Sequence, residues 1–106
     1  MNPVKILTLT LLGAASLPVL AAEGSADAAK SKISMCVGCH GIPGYRTTFP
    51  EVYHVPKIGG QHAAYIVAAL KQYKSGERDH PSMRGIAESL SEKDMADLAA
   101  YYADKK

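Results

Sequence analysis

The sequence predicts an all-α fold, three main helices joined by long loops, and three observations predict it. Two segments repeat apolar side chains at helical spacing, Ile66, Ala69, Leu70 and Tyr73 in one and Met95, Leu98, Ala99 and Tyr102 in the other. From Gly41 to Gly60 the chain holds four glycines, three prolines and mixed Thr, Tyr and His, a loop composition with no alternating run long enough for a convincing strand. At 106 residues the chain suffices for one domain and is too short for two.

The elements follow in order. Met1 to Ala22 opens with one cation, Lys5, continues through an apolar run from Ile6 to Leu20 and closes on Ala21 and Ala22. This is the layout of a secretory signal peptide, cut after Ala21 or Ala22. A membrane anchor needs about 20 uninterrupted apolar residues, whereas Gly13 and Pro18 break this run and no cationic stop follows. Residues 23–106 form the expected domain. Ser25 and Asp27 cap a first helix running to about Gly38, with Ala29 and Ile33 on its apolar side. A second helix spans about Gln61 to Ser75 and stops at Gly76. The stretch from Glu77 to Ser82 is polar and carries Pro81, and a short helical turn from Arg84 to Ser89 follows it. Ser91 with Asp94 three residues on resembles a capping box and opens the last helix.

Charge narrows the partners. With Lys5 removed, eleven Lys and Arg face ten Asp and Glu, a formal charge of about +1 that gives no footprint for nucleic acid. No later segment is apolar enough to span a bilayer, so the processed protein is expected to be soluble. A domain of 84 residues buries a modest share of its surface, and an internal staple or cofactor would add to its stability.

Both cysteines of the chain lie in one run, Cys36-Val37-Gly38-Cys39-His40. C-x-x-C-H is the attachment signature of c-type haem. Residues at i and i+3 share a helical face, so two thiols there can form thioethers to the two vinyl groups along one porphyrin edge. His40, the next residue, then lies under the iron and binds through Nε2, while its Nδ1–H needs an acceptor that fixes the tautomer. Three other readings use the same residues. A thiol–disulfide centre expects a strand leading into the motif, and here a helix leads in. A zinc site would combine Cys36, Cys39 and His40 with a distant His54, His62 or His80, a poor tetrahedral cage without a second paired knuckle. A structural disulfide is badly strained between i and i+3 of a helix.

The far-face ligand separates an electron carrier from a haem protein with an open site. Of the methionines after Ala22, Met35 precedes Cys36 on the proximal helix and Met95 belongs to an apolar stripe, so ordinary packing accounts for both. Met83 lies in the loop His80-Pro81-Ser82-Met83, far enough from His40 for the chain to wrap to the opposite face. Its thioether would give a low-spin iron of higher potential than two histidines would. His80 is the chief rival ligand, followed by His54 and His62, and a gap-filling Met is the alternative role for Met83.

With these residues placed, the stretch from about Ser25 to Tyr102 resembles a class I cytochrome c, in particular one domain of the tandem dihaem class I cytochromes of bacteria. The resemblance is carried by Cys36 to Gly41, Pro56 to His62, Tyr73 to Arg78, and His80 to Ile86 leading into Leu98 to Tyr102. It implies a haem crevice with His40 and Met83 as axial ligands, a first helix crossing the last, the Pro56 carbonyl accepting from His40 Nδ1–H, and Arg78 near a propionate. A single C-x-x-C-H departs from the tandem pattern and favours one haem c. The expected function is one-electron transfer between periplasmic or membrane-bound redox protein partners, by a monomer or a component of a redox complex. The alternatives are the haem subunit of a larger periplasmic oxidoreductase and a haem protein with an open distal site.

Overall fold

The computed structural model describes residues 23–49 and 52–105. The expected signal segment, residues 1–22, lies outside them. The elements are α1 (Ala26–Ala29), α2 (Ser34–His40), β1 (Arg46–Thr47), β2 (Tyr53–His54), α3 (Ala63–Ser75), α4 (Pro81–Glu88) and α5 (Glu92–Ala103). α5 is the organising element, packing on α1 and on α3, while α4 packs on the other side of α3.

The α5 stripe does what its spacing predicts, while in the α3 stripe Ile66 is buried, Leu70 packs against the core, and Ala69 and Tyr73 are half-buried outside it. Met95, Leu98, Ala99 and Tyr102 of α5 are all buried and join Ala29, Ile66 and Leu90 in one core, with Ile33, Cys36, Ile58, Val67 and Leu70 packed against it. The Ser91 capping box forms in both directions, Ser91 Oγ accepting from Asp94 N–H at 3.1 Å and Asp94 accepting from Ser91 N–H at 2.8 Å. α3 ends where Gly76 turns into the left-handed region at φ 86°, a conformation that glycine adopts without steric cost.

Four sequence expectations need correction. The first helix is not continuous to Gly38: it breaks at residues 30–33, and α2 runs on to His40. The Ser31 hydroxyl bonds the Ala28 carbonyl at 3.2 Å, which an unbroken helix would offer to Lys32 N–H. That N–H instead bonds Ala29 O at 2.8 Å, in a tighter i to i+3 turn. Only Ser25 caps α1; Asp27 pairs with Lys30 instead. The loop between α2 and α3 does contain strand pairing, a two-residue antiparallel ladder of Arg46 with His54 and Thr47 with Tyr53, too short to show as alternation. Finally, α4 begins at Pro81 rather than Arg84. Proline at the first helical position has its φ preset and no N–H to satisfy, so Pro81 starts this helix instead of excluding it. Met83 therefore sits in the first turn of a helix, not in a loop.

The start of the described chain is seated tightly. A Cβ at Gly24 would fall 1.9 Å from the Ala96 carbonyl oxygen, so only glycine lets the backbone approach α5 here. Ser25 N–H then donates to Asp97 at 2.8 Å.

Candidate functional site

α2 carries Cys36, Cys39 and His40 in its last two turns. Both thiols are free; Cys36 is half-buried and Cys39 is exposed. His40 Nδ1 lies 2.7 Å from the Pro56 carbonyl oxygen. A carbonyl only accepts, so Nδ1 carries the proton, and in the tautomer this selects the lone pair sits on Nε2, the arrangement a metal-ligating histidine requires. The segment holding that carbonyl is itself anchored. Val55 N–H donates to Tyr45 O at 2.9 Å, Gln61 N–H to Ile58 O at 3.1 Å, and Gly60 N–H to Tyr102 O of α5 at 2.8 Å.

Cys36 faces the core. Burial pushes its thiol pKa up, and the Tyr102 hydroxyl beside it pulls partly the other way. Tyr102 is 7% exposed, and its hydroxyl, buried with no hydrogen bond of good geometry, is pushed up to about 12, first by burial and then by the neighbouring Cys36 thiolate. Sequence reading placed Tyr102 only in the apolar stripe; nothing in the spacing pointed to its contact with Cys36.

Met83 is half-buried on the first turn of α4. Among the described residues, α2 and α4 do not pack extensively on one another; α4 is held by α3. His80 is the residue before α4, with Nδ1 buried and without a partner and its ring edge-on to Tyr53 at 5.1 Å. His54 lies in β2 and His62 precedes α3, both exposed. Arg78 is half-buried: it donates to Tyr65 Oη at 3.0 Å and lies 5.4 Å from the centroid of the Tyr73 ring. Met35, assigned to ordinary packing from its position, is 40% exposed, whereas Met95 is 1% exposed in the core.

The donor set fits a covalent haem. It offers two free thiols three residues apart on one helix, a histidine with its second nitrogen already satisfied, and a soft thioether on a helix not packed against the first. It does not assemble a cage from protein groups alone: among the described residues no three His, Cys, Asp or Glu side chains converge as a metal site. Two open surface depressions, one around Asp27, Lys30 and Tyr101 and one around Asp79, Arg84 and Glu88, contain none of these residues and no convergent donors.

Known proteins supply an independent line. The family model described as "Cytochrome c" matches residues 21–103. Cytochrome c4 of Pseudomonas aeruginosa is 37% identical over 101 residues, covering 95% of this chain and 46% of its own length. Cytochrome c-554(548) of Halomonas halodenitrificans is 37% identical over 86 residues, covering 78% of this chain and 99% of its own. A thiosulfate dehydrogenase electron acceptor of Thiomonas intermedia is 30% identical over 102 residues, 96% of this chain and 44% of that protein. The chain spans about half the length of the cytochromes c4 and matches one domain of their tandem pair.

Proposed function

We propose that this chain, which belongs to the cytochrome c family, is a one-electron carrier holding a single haem c through thioethers to Cys36 and Cys39, with His40 and Met83 as axial ligands. The observation that carries the reading is the 2.7 Å bond from His40 Nδ1–H to the Pro56 carbonyl, directly behind two free thiols on one helix. When bound, the haem supplies an Fe(III)/Fe(II) couple; everything else is the work of the chain.

His40 supplies a neutral nitrogen whose orientation does not change with charge, because the Pro56 segment is tied to α5 through Gly60 and Tyr102. An imidazole that donates its other N–H to a carbonyl is a stronger electron donor to a metal, which favours the ferric state. Met83 works in the opposite sense, since a thioether donor raises the potential relative to a second imidazole. Its place on α4, which packs on α3, gives the thioether a fixed support. Such fixed ligands keep reorganisation small, the main requirement for fast electron transfer. Apolar side chains left exposed on α2 and around the hairpin, among them Val37, Ile42, Val52 and Tyr53, offer surface to cover the macrocycle or meet a partner. The propionates would lie where Arg78, or another cation, can approach them.

Export to a periplasm after removal of residues 1–22 belongs to the same proposal. It is motivated by the composition of that segment and by the covalent attachment of haem. No helix among the described residues is long and apolar enough to cross a membrane.

The test is an optical spectrum of the purified protein in both oxidation states with a pyridine haemochrome assay. One covalent haem per chain is expected, and none would end the reading. Met83→Ala should abolish the weak long-wavelength ferric band of an iron–thioether bond and let carbon monoxide bind the reduced protein rapidly. Persistence of the band would assign the far face to another residue, with His80 first in line. Rapid carbon monoxide binding by the wild type would make this a haem protein with an open site.

A second reading is supported by the likeness to a protein named as a thiosulfate dehydrogenase electron acceptor. In it the domain accepts electrons within a larger oxidoreductase complex. Stoichiometric co-purification of a dehydrogenase would favour that role over a free shuttle.

A further inference from the structure

We infer that Lys32 is a positioning residue for the Cys36–His40 helix, clamping the turn before α2 onto two aspartates of α5. The inference rests on the haem reading above, because α2 matters functionally only as the carrier of Cys36, Cys39 and His40.

The need for a clamp follows from how little holds α2. Its N-cap is Ile33, whose side chain has no oxygen to accept from the first-turn N–H groups, and no acidic residue lies in its first turn. It is absent from the helix pairs that pack extensively, all of which involve α3 or α5 with a partner other than α2. No residue of α2 is fully buried. The direction of the helix is therefore set at its two ends. The C-terminal end is tied by His40 to Pro56. At the other end, Ile33 and Cys36 rest on the core, and the adjoining residue is Lys32.

Lys32 reaches from the break between α1 and α2 to both Asp94 and Asp97, its ammonium 3.1 Å from Asp97 Oδ2. Asp97 is 0% exposed, the one buried charged residue among those described. Its carboxylate also accepts from Ser25 N–H at 2.8 Å and from Lys93 at 3.0 Å. The aspartate thus ties together the start of the domain, the turn before α2, and α5. α5 also fixes the Pro56 segment through the bond from Gly60 N–H to the Tyr102 carbonyl. Both ends of α2 are therefore referred to the same helix, and the Lys32 clamp is the ionic half of that arrangement. Without it, the N-terminal end of α2 rests only on the contacts of Ile33 and Cys36 with the core, and the two sulfur atoms and the imidazole lose alignment.

Lys93 provides the control. It also pairs with Asp97, but it belongs to α5 itself, four residues away, and does not touch the turn before α2. Lys32→Met and Lys93→Met each remove one positive charge beside Asp97, so that part of the electrostatic change is shared; Lys32→Met alone also removes the partner of Asp94. The experiment compares midpoint potential, the long-wavelength ferric band and haem per chain in wild type, Lys32→Met, Lys93→Met and Lys32→Arg. A clamp predicts that Lys32→Met changes the reduced-to-oxidised ratio at fixed ambient potential by roughly threefold more than Lys93→Met does, about 28 mV for a one-electron couple. It also predicts a weakened or heterogeneous ferric band, and recovery in Lys32→Arg. Equal shifts in the two Met variants, with the band unchanged, would overturn the inference and leave Lys32 a stabilising ion pair. If Lys32→Met does not accumulate, Lys32→Gln is read against Lys93→Gln in the same way. Failure of the haem reading would show separately, as a wild type without covalent haem.

Discussion

Replacing Tyr102 with Phe removes one buried hydroxyl and leaves the ring in the core. The hydroxyl is held protonated, its pKa raised from 10.0 to about 12. The sign is that of an acid whose neutral form the fold prefers. Below pH 10 both folded and unfolded chains keep the proton and stability is complete; between pH 10 and 12 only the unfolded chain ionises, and stability falls. The full shift corresponds to at most about 2.7 kcal/mol. Water at the edge of so small a domain screens part of that, so roughly half, ~1.4 kcal/mol, is the expected loss. For a domain of this size it lowers the midpoint of melting by roughly 5–10 °C. Part of the shift comes from the Cys36 thiolate, a charge that a thioether cannot carry, so protein with haem attached should lie at the lower end. The assay is thermal melting followed by far-ultraviolet circular dichroism from pH 8 to 12.5, for wild type and Tyr102→Phe. At pH 8 the variant should be within about 1 kcal/mol of wild type, because a buried hydroxyl without a good partner contributes little. Above pH 10 it should hold its melting temperature where the wild type declines. Parallel alkaline declines would refute the assignment of the loss to this hydroxyl.

Other perturbations test the frame around the site. Leu98→Ala empties a core position that is 2% exposed and should cost about 2–5 kcal/mol in denaturant unfolding; a loss under 1 kcal/mol would mean that α5 is not the centre of the core. Gly76→Ala forces a Cβ onto a residue at φ 86° and should cost about 1 kcal/mol, measured the same way, without changing the haem spectrum. Asp97 is held down to about 2, first by the Ser25 N–H and then by Lys93. A depressed carboxylate stabilises the fold above its unfolded value near 3.8 and loses that contribution as pH falls towards 2. Asp97→Asn should therefore show a smaller drop in melting temperature from pH 5 to 2 than wild type.

The parts legible in the sequence were those set by local spacing. Met95, Leu98, Ala99 and Tyr102 needed only the helical period to be found, and Ser91 with Asp94 needed only the offset of a capping box. What escaped was decided by competition at single residues. Ser31 taking the Ala28 carbonyl breaks a helix whose apolar residues, Ala29 and Ile33, were correctly placed on the core side. Pro81 was read as a loop residue when its position at the head of α4 made it a start. The buried ion cluster escaped for a different reason, since Lys32 and Asp97 are 65 residues apart and no local pattern pairs them. The bond from His40 to Pro56 lies between these extremes. The motif demanded an acceptor and only likeness to a family named one.

The arrangement also bears on how the domain holds together. α5 is contacted by α1 and α3, receives Lys32 and Ser25 on its aspartates, and accepts from Gly60 at its C-terminal end. α2 and α4, which bear the proposed ligands, do not pack extensively on one another among the described residues: α4 is held by α3, and α2 meets the core through Cys36. Apolar side chains such as Val37 and Ile42 stay exposed beside the Cys36–His40 run, at 40% and 47%, and a bound group that covered them would remove that cost. A ligand that binds the folded chain and not the unfolded one adds its binding energy to stability, and a covalent one cannot dissociate to give that energy back. Lys32 in the turn before α2 and the Pro56 carbonyl behind His40 refer the two ends of α2 to residues that α5 fixes. Under the proposed haem reading, the helix that carries Cys36, Cys39 and His40 is thus held at both ends by the helix on which the core is built, and ligands held in this way keep reorganisation small.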